Sequence, residues 1–284
     1  MDIDGRAHAK VIKDKLREEI LNKSYTPTLA FFLMEDHGPS GVYVGMKERA
    51  CKETGITSIK ESLPATITEK ELLAKIDRAN KDSKIDAIIV QMPLPAHIDA
   101  NKIILAIDPS KDVDGFHPIN IGKMMIGEKD ALLPCTPQGI CKLLEMEHVE
   151  TKGKNVVIIG RSNIVGRPLV NMLSGKGKDA TVTLLHSKSK DIEAYLKNAD
   201  IIIAAVGIPN FLKASMIKQG AVVIDVGISH LDGKLVGDVD YEQVKDKASK
   251  ITPVPGGVGP MTIAMLLVNT LQCHKKHLRA NLSL

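Results

Sequence analysis

Tyr43 and Lys47 lie four residues apart in a stretch, 40–54, that reads as a helix, so they share one face. That face is partly apolar (Val44, Ala50, Cys51). A lysine held against it loses hydration, which lowers a lysine pKa toward the range useful for acid or base chemistry near neutrality. The same spacing is also common where a helix simply decorates its surface. Gln91 ends a buried-strand run just before Pro93-Leu94-Pro95. Strand carboxyl ends in open α/β sheets face the ligand crevice, so this amide is a candidate ligand contact; a satisfied loop residue is the other reading. Lys111-Asp112-Val113-Asp114-Gly115-Phe116-His117-Pro118 carries two carboxylates at alternating positions. If extended, the run aims both the same way; if it is a turn, one Asp caps its own backbone. Two Asp and one His fall short of a Ca²⁺ loop, and no metal is expected.

A second group concerns phosphate. Asn155 to Pro168 reads NVVIIGRSNIVGRP: a β-branched run, then Gly160, a turn, and Gly166 at the start of a helix. A buried parallel strand feeding a glycine turn and a helix N-terminus presents amide N–H groups and a favourable dipole to an anion. The dinucleotide pattern G-x-G-x-x-G is imperfect here, with Ser162 in place of the second glycine and Gly166 one place late. An ordinary strand–turn–helix corner would look similar. NAD-binding folds place an Asp or Glu at the end of the second strand for the ribose hydroxyls. Here that strand, TVTLLH, ends in His186-Ser187-Lys188, with Arg161 in the first turn. Without the acid, and with donors in its place, the reading is NADP over NAD. A solvated charge run at Lys188 and Lys190 is the alternative. Finally, Pro253-Val254-Pro255-Gly256-Gly257-Val258-Gly259-Pro260 joins stiffness to close backbone approach, which suits a flat ring system.

The elements that must position these residues alternate. Ala9, Ile12, Leu16 and Ile20 mark a helix; 28–34 a strand; 40–54 a helix with Ser40 as N-cap; 56–62 a strand; Thr68 with Glu71 a capping box opening a helix; and 87–91 a short buried strand. Residues 108–127, rich in Asp, Gly and Pro, read as a loop-like junction, and Thr136-Pro137 as an N-cap and first residue of a helix where the chain crosses to its second half. Strands at 156–160, 181–185, 201–206 and 222–226 then alternate with helices at 165–174, near 190–198 and near 213–218; an apolar helix at 261–278 closes the chain. The fold class is α/β, with parallel βα units throughout and a doubly wound, Rossmann-like second half.

Bulk composition excludes several functions. The chain has 284 residues, 44% of them hydrophobic and only 3% aromatic, with no Trp, so its cores are aliphatic. The net charge of +4 is spread evenly, unlike a nucleic-acid footprint, and stacking aromatics are scarce. Cys51, Cys135, Cys141 and Cys273 show no metal or redox spacing and fit a reducing cytoplasm. The N-terminus has no signal-peptide pattern, and the longest apolar stretch, Met261 to Leu271, is too short for a bilayer.

Taken in order, these segments resemble the bifunctional methylenetetrahydrofolate dehydrogenase/cyclohydrolase family over nearly the whole chain. The matching residues are Tyr43-Val44-Gly45-Met46-Lys47, Gln91 to Pro95, Lys111 to Gly115, Pro134-Cys135-Thr136-Pro137, Gly160-Arg161-Ser162 through Pro168, and Pro253 through Thr262. The resemblance implies two domains flanking a cleft, with 1–120 plus 261–284 binding folate and 121–260 binding NADP, in a homodimer. It implies oxidation of 5,10-methylenetetrahydrofolate with NADP to the methenyl cation, then hydrolysis to 10-formyltetrahydrofolate. Lys47 would serve the water-addition step, Tyr43 would stack near the folate, Gln91 would tune Lys47, and Asp114 would bind the pterin. Ser40 and the loop at Pro255, Gly256 and Gly257 would contact substrate. Gly160, Arg161, Ser162, Val165, Gly166, His186, Ser187, Gly207 and Ile228 would contact NADP. The segment Glu35-Asp36-His37-Gly38-Pro39 departs from the family's usual Gly-Asp and Pro-Ala-Ser, which leaves the role of Ser40 open. A monofunctional or NAD-linked member, or a nucleotide-binding module without turnover, are the competing readings.

Overall fold

The computed structural model describes residues 1–34, 39–231 and 233–282, without the side chains of 39–43 and 281–282. The chain divides into two compact units, one formed by Met1–Lys10 and Pro134–Thr262 and the other by Val11–Leu133 and Ile263–Leu284.

After helix α1 (Gly5–Asn22), the second of these units runs β1 (Thr28–Met34), α2 (Pro39–Thr54), β2 (Thr57–Leu63), α3 (Glu69–Lys81), β3 (Ala87–Val90), α4 (Ala100–Ala106) and α5 (Pro118–Ile126). Its three strands are parallel in the order β2-β1-β3. β1 is buried along almost its whole length because it is central, whereas β2, at the edge, buries only Leu63 and leaves Ile59, Lys60 and Glu61 at least partly open. Leu72, Ile76 and Ala79 of α3 pack on Ala30, Phe32, Ile88 and Val90 of the sheet. Thr68 and Glu71 form the expected capping box at the start of α3. Beyond the sheet, Ile88 N–H donates to Lys111 O at 2.8 Å and bridges Asp112, so residues 111–112 continue alongside β3.

The other unit runs α6 (Cys135–Met146), β4 (Asn155–Ile159), α7 (Gly166–Ser174), β5 (Thr181–Leu185), α8 (Ile192–Leu196), β6 (Ile201–Ala204), β7 (Val222–Asp225), the hairpin β8 (Ser229–Leu231) and β9 (Lys234–Val236), α9 (Tyr241–Val244) and β10 (Lys250–Ile251). Its main sheet is parallel, in the order β10-β7-β6-β4-β5. β4 and β6 are neighbours in the middle, and the order reverses between them, as a doubly wound sheet requires. The last helix, α10 (Val258–Leu282), begins in this unit and ends in the other.

Several local expectations are corrected. The 108–127 junction contains α5, which His117 caps by accepting Ile119 N–H, with Pro118 in the first turn and Gly127 left-handed at its end. These signals were present, but Asp and Gly content masked them. Ser40 lies inside α2, which begins at Pro39, and α6 begins at Cys135 after Pro134, so neither Ser40 nor Thr136 is the N-cap. Thr136 instead meets Thr262 through their hydroxyls at 3.0 Å. The helices near 190–198 and 213–218 shrink to α8 and one 3-10 turn, Ala214–Met216. The grouping of residues 1–120 also differs from the observed units. Asp2 pairs with Ile251 and Ile3 N–H donates to Ile251 O, tying the first residues to β10. Asn269, for its part, holds the carbonyls of Val113 and Leu133, keeping 121–133 with the first sheet.

Asp86, 5% exposed, anchors α10 to this sheet: its carboxylate accepts Thr28 N–H at 2.9 Å, His274 Nδ1–H at 3.0 Å and His277 Nδ1–H at 2.8 Å. Replacing it strands three donors at once. Asp86→Ala is expected to lower unfolding stability by about 3 kcal/mol, measured by denaturant titration.

Candidate active site

In the Val11–Leu133 unit, α2 carries Lys47 inward to 8% exposure. Its ammonium donates to Gln91 Oε1 at 2.8 Å. Gln91 is fixed in turn: its N–H donates to Phe32 O, extending the β1–β3 pairing by one residue, and Nε2 donates to Met92 O at 2.8 Å. The amide oxygen therefore has one orientation, toward the lysine. Asp112 and Asp114 have separate roles. Asp112 accepts His117 N–H at 2.8 Å and Asn120 Nδ2–H at 2.9 Å, so it is the turn-capping carboxylate. Asp114 is only partly buried as a residue, yet its carboxyl is raised to about 6, chiefly by desolvation; the Lys47 charge pulls it down and Asp112 pushes it up. Lys47, Gln91 and Asp114 are thus brought together as an ammonium, an amide and a carboxyl ready to take or give a proton near neutrality. Tyr43 shares α2 with Lys47, but its side chain and that of Ser40 lie outside the described residues.

In the other unit the turn after β4 is shaped by contact. A Cβ on Gly160, at φ +115°, would lie 2.0 Å from Ala205 O, and one on Gly166 would lie 1.9 Å from Gly160 O. Gly166 therefore does the close-packing work of a third fingerprint glycine despite its shifted position. Ser162 accepts Val165 N–H at 3.1 Å, closing the turn with a side chain where a glycine is usual. Val165 is buried just ahead of α7, whereas Arg161 and Ser162 are exposed. β5 ends beside this turn, since Gly160 N–H donates to Leu185 O. There Ser187 and Lys188 are exposed and no carboxylate is present. His186 Nδ1 accepts Lys188 N–H at 3.1 Å, which shapes the turn after β5. Gly207 and the 45%-exposed Ile228 lie past the ends of β6 and β7. The tight glycine turn, the start of α7 and the donors Arg161 and Ser187 fit a phosphorylated dinucleotide.

The residues Pro255, Gly256 and Gly257 belong to this unit too. Gly257 is buried, and a Cβ on it would fall 2.6 Å from Thr252 Cβ, while a Cβ on Gly5 of α1 would fall 1.8 Å from Gly257 O, so Gly257 is needed for the loop's own packing and Gly5 for the approach of α1 to it. Pro255 is exposed and remains available to a ligand.

Residues 3–114 match the tetrahydrofolate dehydrogenase/cyclohydrolase catalytic domain, and 134–278 match the NAD(P)-binding domain of the same name. The chain belongs to the tetrahydrofolate dehydrogenase/cyclohydrolase family. The bifunctional protein FolD of Flavobacterium johnsoniae is 53% identical over 96% of this chain and 97% of its own length. The solved FolD methylenetetrahydrofolate dehydrogenase/cyclohydrolase from Campylobacter jejuni is 48% identical, with a TM-score of 0.94 over 97% of this chain and 99% of that one. The Trypanosoma brucei enzyme, solved with NADP and an inhibitor, is 39% identical, with a TM-score of 0.92 over 98% of both chains.

Within this family frame, sequence reasoning passed over Asp225 and Asp238, two buried acids at the crest of the second sheet. The available signal was an acid closing a buried β-branched run, with a glycine near each carboxylate at Gly227 and Gly237.

The raised pKa of Asp114 has a sign. The folded chain retains a proton that the unfolded chain has lost between about pH 4 and the folded value of about 6, so stability falls as pH rises through that window. Asp114→Asn, neutral and isosteric, is expected to be more stable than the wild type above pH 6, by on the order of 2 kcal/mol, and equal to it below pH 4, measured by denaturant unfolding across pH.

Proposed function

We propose that this chain oxidises 5,10-methylenetetrahydrofolate with NADP to 5,10-methenyltetrahydrofolate and then adds water to give 10-formyltetrahydrofolate. The observation that carries the reading is the buried residue Lys47, its ammonium held by Gln91 Oε1 and its charge acting on the carboxyl of Asp114. Asp114, once ionised, accepts two N–H groups of the pterin at a time, a geometry that a carboxylate suits and an amide does not. NADP, held by Gly160, Arg161, Ser162 and Ser187, supplies the acceptor for the hydride.

The two steps ask different things of the protein. The substrate's own nitrogen lone pair expels the hydride and forms the C=N⁺ bond, so no protein acid is required and positioning dominates. Water addition to the methenyl carbon must release a proton, and ring opening must place one on the departing nitrogen. Lys47 is the group able to relay it, with Gln91 Oε1 holding the ammonium in place. Tyr43, one turn earlier on α2, stacks near the folate in this reading, and Ser40 and the Pro255–Gly257 loop add substrate contacts.

The homodimer belongs to this proposal as well. Its support is β2, an edge strand whose outer side pairs with no other described strand. A cytoplasmic location is supported by four buried cysteines, none in a disulfide. No helix among the described residues is long and apolar enough to cross a membrane.

Lys47→Met is expected to lower methenyl hydrolysis at least about 100-fold while folate binding persists; wild-type hydrolysis would defeat the assignment. Ser187→Asp places a carboxylate where the 2′-phosphate is proposed to sit. The ratio of kcat/KM for NADP to that for NAD should then fall by about tenfold or more, followed by methenyl absorbance with both cofactors.

A further inference from the structure

Two buried carboxylates are joined beside the carboxyl ends of β6 and β7, and neither has a place in the chemistry above. Asp225 is the last residue of β7, Asp238 follows β9, and they are 3% and 0% exposed. Asp238 Oδ2 accepts Val206 N–H at 2.6 Å and Gly207 N–H at 3.0 Å. Asp225 accepts Gly227 N–H at 3.0 Å, Asp238 N–H at 2.8 Å and Val239 N–H at 2.9 Å. Its own N–H donates to Thr252 Oγ1 at 2.7 Å. Two side chains thus lace together the segments 206–207, 226–228 and 237–239. The approach is possible only because glycines adjoin it: a Cβ on Gly227 would lie 2.3 Å from Asp238 Oδ1, and one on Gly237 would lie 1.9 Å from Asp225 Oδ2.

Burial pushes Asp225 up to about 6 and raises Asp238 as well, and Asp238 Oδ1 is buried with no hydrogen-bond partner. Buried carboxylates are poor stabilisers, so their location is the informative fact. In a sheet of this order the dinucleotide lies at the carboxyl edge, around the reversal between β4 and β6, and each half of the sheet serves one mononucleotide. β4 and β5 carry the turn and the donors assigned to the phosphorylated ribose, which leaves the β6–β7 half for the nicotinamide. Gly207, at φ +70°, and exposed Ile228 both lie on the laced segments.

We propose that Asp238, backed by Asp225, is a positioning residue for the nicotinamide half of NADP, holding the loop after β6 in its binding shape before the cofactor arrives. The inference rests on the NADP reading of this unit. Asp238 is fully buried and acts through the loop it holds. Without the clamp, NADP must order the loop on binding. That loss weakens ground-state and transition-state binding alike, so it raises KM and leaves kcat nearly unchanged.

Asp238→Asn keeps an oxygen for the two amides and removes the charge. In dehydrogenase assays the NADP KM should rise about tenfold, with kcat within about threefold of wild type. Methenyl hydrolysis, which uses no cofactor, is assayed on the same preparation to report folding. Gly207→Ala approaches the clamp from the amide side. Its methyl enters open space, but φ +70° disfavours any Cβ, so the N–H turns from Asp238 and the NADP KM should rise again. An NADP KM within twofold of wild type in either folded variant, or a loss confined to kcat, overturns the clamp. Absence of NADP-dependent turnover by the wild-type protein overturns the cofactor reading itself, and this inference with it.

Discussion

A lysine that is only 8% exposed needs a partner for its ammonium, and Gln91 meets that need 2.8 Å away. Much of the Val11–Leu133 unit follows from this one contact. Gln91 can serve only because β3 ends where it does, with Gln91 N–H still paired to Phe32 O of β1. β3 in turn aligns residues 111–112 along its free edge, and that placement brings Asp114 near enough for the Lys47 charge to act on it. The helix, the strand end and the loop are thus each set by the requirement that a buried charge be oriented.

The second unit rests on closeness more than on charge. Gly160 and Gly166 let β4, the start of β6's loop and the first turn of α7 approach within distances that no side chain permits. Amide N–H groups and a helix terminus are then exposed to an anion without a competing Cβ. Ser162 replaces the missing fingerprint glycine with a hydroxyl that closes the same turn, so the sequence deviates while the backbone geometry survives.

Carboxylates at raised pKa recur where ligands are proposed to sit. Asp114 and Asp225 both stand at about 6, and Asp238 is also raised, in each case mainly by desolvation. A chain optimised for stability alone would avoid them; a site that recognises N–H groups, or holds a loop by its amides, needs them. Asp112 and Asp86, like Asp225 and Asp238, bond to groups of the fold itself.

Residue pattern by itself established the α/β class and the alternation of elements and marked the phosphate turn, Lys47 and Gln91 as candidates, because hydrophobic period, glycine placement and capping chemistry are local properties, whereas Asp114 was singled out only by the family resemblance. α5 was legible in its His117, Pro118 and Gly127 signals but hidden by composition. Other features could not be read locally. Asp112 and Asp114 alternate identically in sequence, and only the folded turn gives Asp112 to His117 N–H and Asn120 and leaves Asp114 within reach of the Lys47 charge. His186 reads in sequence as one more polar group at the end of β5, and only the structure shows its Nδ1 accepting Lys188 N–H. The division of α1 and α10 between units, and the joining of Asp225 to Asp238, depend on segments brought together by strand order. Those contacts are long-range, and long-range proximity is what a folded core decides and a local pattern does not encode.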